Sequence, residues 1–160
     1  MTITLEPWGD GDLDLLRALN APEMTEHLGG PETDEKVVAR NEKYVRRSAE
    51  GIGGINKVLV DGVIAGNVNY WADDSVYEIG WGVVPAFQGR GVATSAVLLA
   101  LDELRRTDTF RYVHAYPRVS NLASNGVCRK AGFTLIGEVS IDYPPGVFAL
   151  SNDWVFDLDA

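Results

Sequence analysis

Residues 76–105 restrict the fold more than any other part of the chain. Tyr77, Ile79, Trp81 and Val83 alternate with Val76, Glu78, Gly80, Gly82 and Val84, the period of a β-strand. The strand ends at Pro85. A Gln88-Gly89-Arg90-Gly91 turn follows, and an apolar run begins at once. Val92, Ala93, Ala96, Val97, Leu99, Ala100, Leu101 and Leu104 cover more than half of the circumference of a helix over residues 91–105, so that helix is largely buried. Arg105 and Arg106 stand at its C-terminal end, where the helix dipole favours cations. A second short strand, residues 112–116, stops at Pro117. A strand–helix–strand crossover of this length requires the two strands to lie parallel.

The rest of the chain reads as antiparallel structure around that unit. Asp61-Gly62 joins two strand-like runs, residues 57–60 and 63–70, and an Asp-Gly pair supplies the positive φ angles of a tight hairpin. Asp73-Asp74 marks a further turn. Residues 10–19 have helical apolar spacing, with Asp10 or Asp12 as cap. Residues 33–49 form a charged helix capped by Thr33 or Asp34. Residues 24–31 read as an ordered loop between them. Residues 121–130 form a short helix ended by Gly132, a natural left-handed terminator. Residues 133–141 and 147–158 pair as a last hairpin around Tyr143-Pro144-Pro145-Gly146. The expected fold class is α/β (α+β), a mixed and mostly antiparallel sheet with helices on both faces, in one domain over residues 1–160.

Composition excludes several functions. The net charge of −9 argues against general nucleic-acid binding, which depends on basic surface, and mildly favours a cationic acceptor. The single cysteine, Cys128, rules out an internal disulfide framework and a multi-cysteine metal site. The N-terminal residues lack the pattern of a signal peptide, and no apolar run reaches the length of a membrane span. A cytoplasmic location with no membrane partner is the expectation. His27 and His114 read as ordinary surface or strand histidines, not as a metal pair.

The Gly-Arg-Gly turn joins three physical properties. Glycine lets backbone N–H groups converge without obstruction. A helix N-terminus offers unpaired donors and a positive dipole end, which suits a phosphate. Arg90 adds charge and a fork of donors. A bare strand-to-helix corner would use the same residues. A P-loop needs a lysine after the second glycine, which is lacking here. A dinucleotide fingerprint needs a third glycine where Thr94 stands.

What remains is Gln88-x-x-Gly91-x-Ala93 after a Val-Val-Pro strand end. It resembles the acetyl-CoA motif of the GNAT superfamily of acyl-CoA-dependent N-acyltransferases. Asn121-Leu122-Ala123-Ser124, followed by Lys130-Ala131-Gly132-Phe133, is similar to that family's later motif, and order and spacing agree. The pattern is closest to the branch resembling ribosomal-protein-alanine N-acetyltransferases. The N-terminal part matches least specifically.

The resemblance implies a seven-stranded sheet with a splayed parallel strand pair in its middle, opening between Val83-Val84 and Ala115-Tyr116. It implies acetyl-CoA as cosubstrate. The pyrophosphate would lie on the backbone of Gly89, Arg90, Gly91, Val92 and Ala93, with Gln88 in the same motif. The pantetheine arm would pair with Val83 and Val84, and Asn121 would reach the cofactor. The family usually places a bulge in this strand and an oxyanion donor at it, here the N–H of Val84. The reaction would be direct attack by a primary amine, such as a protein N-terminus or a small-molecule amine.

A free amine is mostly protonated at neutral pH, because its pKa is about 10, so a base is required. Glu78 is the candidate, since the glycines at 80 and 82 leave its face of the strand unfilled. The alternative for Glu78 is a surface glutamate on a half-solvated strand. Many family members carry a tyrosine seven residues after the asparagine as the acid for the departing thiolate; here that residue is Cys128. Ser124 is the favoured replacement and Tyr116 the second candidate, while Cys128 reads as a small buried hydrophobe. Trp71 and Tyr143 could line the acceptor pocket, walled by residues 24–32 and the Pro144-Pro145 turn. The other functional class is a non-catalytic CoA-binding sensor or scaffold. A homodimer is compatible with such a fold, but no residue fixes an interface.

Overall fold

The Asp61-Gly62 turn shows how local chemistry sets the sheet. Both residues take positive φ (49° and 83°), as a primed hairpin turn requires. They join β2 (Ile55–Val60) to β3 (Val63–Asp73). Asp74, at φ 58°, turns the chain into β4 (Val76–Val83). β1 (Ile3–Pro7) pairs with the outer edge of β2. The computed structural model describes residues 1–142 and 145–160. Tyr143 and Pro144, expected near the acceptor pocket, lie outside the described residues.

α3 (Asp34–Ala49) begins and α5 (Leu122–Ala131) ends on the signals read from the sequence. α1 (Leu13–Leu19) and α3 follow the predicted apolar spacing. Thr33 caps α3, its hydroxyl accepting from the N–H of Lys36 at 3.3 Å. Asp12 does not cap α1: its carboxylate accepts from Gly9 N–H at 2.8 Å and pairs with Lys57 at 2.9 Å, largely out of solvent. A one-turn helix, α2 (Pro22–Thr25), runs into the segment read as a loop, with Pro22 at its first position, where a missing N–H costs nothing. α4 (Val92–Thr107) and α5 (Leu122–Ala131) follow β4 and β5 (Tyr112–Ala115). Gly132, at φ 97°, ends α5 as expected.

β6 (Thr134–Asp142) and β7 (Phe148–Asp157) complete a seven-stranded sheet of order β1-β2-β3-β4-β5-β7-β6. Every pair is antiparallel except β4–β5. α4 and α5 cover one face. Leu101, Leu104, Val97 and Ala100 of α4 are fully buried there against Val58, Val68, Ile79 and Val113. α1 and α3 cover part of the other face, around Trp8, Leu15, Leu16 and Val37. No described helix is long and apolar enough to cross a membrane.

β3 approaches β4 so closely at Gly66 that a side-chain carbon there would overlap the carbonyl oxygen of Gly82. The β2–β3 register shifts beside this point, between Val58 and Leu59. Gly66→Ala therefore lowers stability by about 2 kcal/mol or more, as backbone overlap in a packed sheet does. Urea unfolding followed by circular dichroism checks this, and a loss below ~0.5 kcal/mol would contradict the close approach.

Candidate active site

β4 and β5 pair only at Tyr77↔Val113 and Glu78↔His114. Beyond those residues β5 follows β7 instead. Ala115 pairs with Trp154. The chain then stays on β7 through Asn152 N–H to Pro117 C=O (2.9 Å) and Val119 N–H to Leu150 C=O (3.1 Å). Buried Asn125 of α5 fastens this wall: its Nδ2 donates to Arg118 C=O and Asn121 C=O, and its Oδ1 accepts from Asn152 Nδ2 and Trp154 Nε1. The sheet is thus split above Glu78 and His114, as the sequence led us to expect.

The edge of β4 facing the split is read from its hydrogen bonds. The β3–β4 register runs without a shift from Asp73↔Val76 to Gly66↔Val83. The expected bulge in β4 is absent. Val84 N–H donates to Ala65 C=O at 2.9 Å and Val84 C=O accepts from Phe87 N–H at 3.0 Å. Val84 N–H is therefore spoken for, which corrects its expected place as the oxyanion donor. Backbone groups alternate between the two edges of an antiparallel strand. Since Val84 faces β3, Val83 and Trp81 face the split. The Val83 carbonyl accepts from Gln88 Nε2 at 2.9 Å, so the Gln88 side chain buttresses the strand end.

At the top of the split two helices begin, α4 after β4 and α5 after its parallel partner β5. Gly89 (φ 76°) and Gly91 (φ 78°) both take the left-handed conformation. Gly91 caps α4 without any side chain, leaving the first-turn N–H groups open. A side-chain carbon added at either glycine would meet nothing within 4 Å. The space over the turn is open, and the glycines serve the backbone path that turns donors towards it. Arg90 lies 5.5 Å over the ring of Phe87. α5 starts alongside. The Asn121 Oδ1 caps it by accepting from Ser124 N–H at 3.1 Å, which leaves the Nδ2 donors as the part able to reach a ligand. Val92, Ala93 and Ser124 occupy the first turns of these two helices. The open, donor-lined turn fits a pyrophosphate.

Below the split lies a charged cluster. Glu78 stands between Trp71 on β3 and His114 on β5, all on one face of the sheet. Burial pushes the Glu78 carboxyl up, Asp73 adds to the rise, and His114 opposes it. His114 Nδ1 lies 2.7 Å from Asp153 Oδ1, and its ring stacks on Tyr116 with centroids 5.6 Å apart. Burial, with Asp153 and Glu78 behind it, pushes the Tyr116 hydroxyl up to about 12. Trp71 is exposed at 37% beside Gly80, while Trp8 and Trp154 are core. Residues 24–32 reach the split through Met24, next to Gly82, and through His27, whose Nδ1 is 3.1 Å from Ser120 Oγ. Sequence reasoning missed Asn125 and the His114–Asp153 pair, which no local pattern announces.

A mixed seven-stranded sheet, split at its one parallel pair and topped by a donor-rich glycine turn, defines an acyl-CoA N-acyltransferase type of fold. The family model described as an acetyltransferase (GNAT) domain matches residues 2–134, and the chain belongs to that family. No curated protein matches the sequence. Among solved structures, a GNAT acetyltransferase from Bacillus anthracis superposes with a TM-score of 0.84 at 15% identity, over 100% of this chain and 97% of that one. An acetyltransferase from Salmonella typhimurium that modifies the N-terminal serine of ribosomal protein L7/L12 gives 0.83 at 20%, over 98% and 95%. A second Salmonella typhimurium protein, yncA, solved with its cofactor acetyl-CoA, gives 0.76 at 20%, over 99% and 95%.

Cys128, at the position where many relatives carry tyrosine, is fully buried in the main core, and burial pushes its thiol up to about 12. It behaves as an apolar filler. A disulfide-exchange reagent should leave the folded protein unlabelled at pH 8 and titrate one thiol in denaturant. Rapid labelling of the native protein would contradict its burial.

Proposed function

We propose that the chain transfers the acetyl group of acetyl-CoA to a primary amine by direct attack in a ternary complex. The observation that carries this reading is the open Gly89–Gly91 turn above an unpaired edge of β4, where β5 parts from β4. The backbone donors of Gly89, Arg90, Gly91, Val92 and Ala93 hold the pyrophosphate, with Asn121 beside them. Val83 offers its N–H to the pantetheine arm or to the oxyanion, because Val84 is engaged with β3. Gln88 and Val84 act by holding that edge. Acetyl-CoA supplies an activated thioester carbonyl; the protein supplies position and proton handling.

Glu78 takes one proton from the protonated amine. The amine nitrogen bonds to the carbonyl carbon, the carbon–sulfur bond breaks, and the thiolate leaves with the amine's second proton. Ser124, in the first turn of α5, hands that proton on. Tyr116 is the second donor in reach, and its raised hydroxyl stays protonated at neutral pH. The acceptor side is lined by Glu78, Asp73 and Asp153 with Trp71 at its rim, which suits a cationic amine. The protein N-terminus modified by the Salmonella relative and a small-molecule amine both meet that description.

Two variants test the reading. Gly91→Val is expected to weaken CoA binding at least tenfold by calorimetry, because valine is strained at φ 78° and fills the space over the donors. Unaltered affinity in a folded variant would count against the cradle. Glu78→Gln is expected to lower turnover by roughly 10²-fold or more while acetyl-CoA affinity holds. In the parent, activity is lost as pH falls through the Glu78 pKa, and the raised carboxyl puts that acidic limb above the ordinary carboxylate range. The variant lacks the limb. Tight CoA binding with no thiol release against any amine would instead identify a non-catalytic CoA sensor.

A further inference from the structure

We propose that His114, held by Asp153, is a positioning residue that receives the amine's proton from Glu78 and passes it to solvent. The inference rests on the transfer reading above and assigns a new role beside that site. A base that takes a proton in a half-buried setting must be discharged before the next turnover, and the structure supplies a neighbour for this.

Glu78 and His114 are direct partners across the only paired stretch of β4 and β5. Partners in a parallel pair share a face, on strands about 4.8 Å apart. Asp153 sits on β7, on the far side of β5. His114 therefore has a carboxylate-bearing strand on either side: Asp153 in direct contact, and Glu78 one strand away without a direct hydrogen bond. A carboxylate only accepts hydrogen bonds, so the 2.7 Å contact with Asp153 requires the proton of the neutral ring to sit on Nδ1. That leaves Nε2 with a lone pair, the acceptor a relay needs. The ring of Tyr116, stacked at 21°, fixes the plane of the imidazole. His114 and Asp153 side chains remain 18% and 21% exposed, which gives the proton an exit to water.

The charges facing His114 come from each neighbouring element. They are Glu78 on β4 and Asp153 on β7, with the Tyr116 ring stacked after β5, while Asp73 on β3 acts on Glu78 and Tyr116. The balance is simple. The ammonium loses a proton to the Glu78 carboxylate, the Glu78 acid passes it through a bridging water to His114 Nε2, and the imidazolium, paired with Asp153, releases it to solvent. No other reactant is needed.

The test is steady-state thiol release by the full chain, with CoA affinity and thermal midpoint measured for each variant. His114→Gln keeps a donor towards Asp153 and cannot carry the proton. Its turnover should fall about 100-fold, with the KM for acetyl-CoA within about twofold. In His114→Ala, free imidazole in the buffer should restore a concentration-dependent part of the rate, which a purely structural histidine would not allow. Asp153→Asn serves as a second variant if His114 variants fold poorly, with turnover falling about tenfold or more. Adding His114→Gln to Glu78→Gln should cost little more than Glu78→Gln alone. Parent-like turnover in His114→Gln, or a loss unrescued by imidazole, overturns the relay while an impaired Glu78→Gln leaves the base standing. An inactive parent that still binds CoA overturns the transfer reading, and the relay with it.

Discussion

The parting of β4 from β5 is the constraint on which the rest of the structure depends. Two strands that begin as parallel partners at Tyr77↔Val113 and Glu78↔His114 cannot both continue the ladder, because β5 and residues 117–119 are held to β7. The separation exposes one edge of β4 inside the molecule. Unpaired backbone groups in such a place are costly unless water or a ligand satisfies them. A cosubstrate with an amide-bearing arm meets that need, and the two helix N-termini above the split meet the need of its charged end.

The two ends of the split have opposite electrostatics. Above lie the N-termini of α4 and α5 and Arg90, all positive in character. Below lie Glu78, Asp73 and Asp153, with His114 among them. An anionic cofactor and a cationic acceptor would thus enter from opposite ends and meet at the Glu78–His114 pair. The same burial that raises the Glu78 carboxyl makes it a better proton acceptor at neutral pH than an exposed glutamate. Gln88 and Asn125 contribute at a distance: one buttresses the end of β4 through Val83, the other ties α5 to β7.

Much of the fold was legible because its signals are local. The one-sided apolar run of α4, the Asp61-Gly62 hairpin and the Gly132 terminator each follow from neighbours in sequence. The Gly89–Gly91 turn was legible for the same reason, since these glycines need no distant partner to take positive φ. α2 escaped because a single turn starting at Pro22 has too few residues for a periodicity. The engagement of Val84 with Ala65 and the unbroken β4 register depend on pairing across strands, which a family pattern predicted with a bulge that this chain lacks. His114 looked ordinary because its partner, Asp153, lies far along the chain, and Asn125 because a buried asparagine in a helix has no sequence signature.

The most direct measurement is residue-resolved amide exchange, by nuclear magnetic resonance, with and without saturating CoA. The split-and-cradle account predicts slowed exchange at Val83, at Gly91 and at the first-turn amides Val92, Ala93 and Thr94. Val84, already bonded to Ala65, should change little. Protection that leaves Val83 and the α4 turn unaffected while appearing elsewhere on the molecule would contradict it.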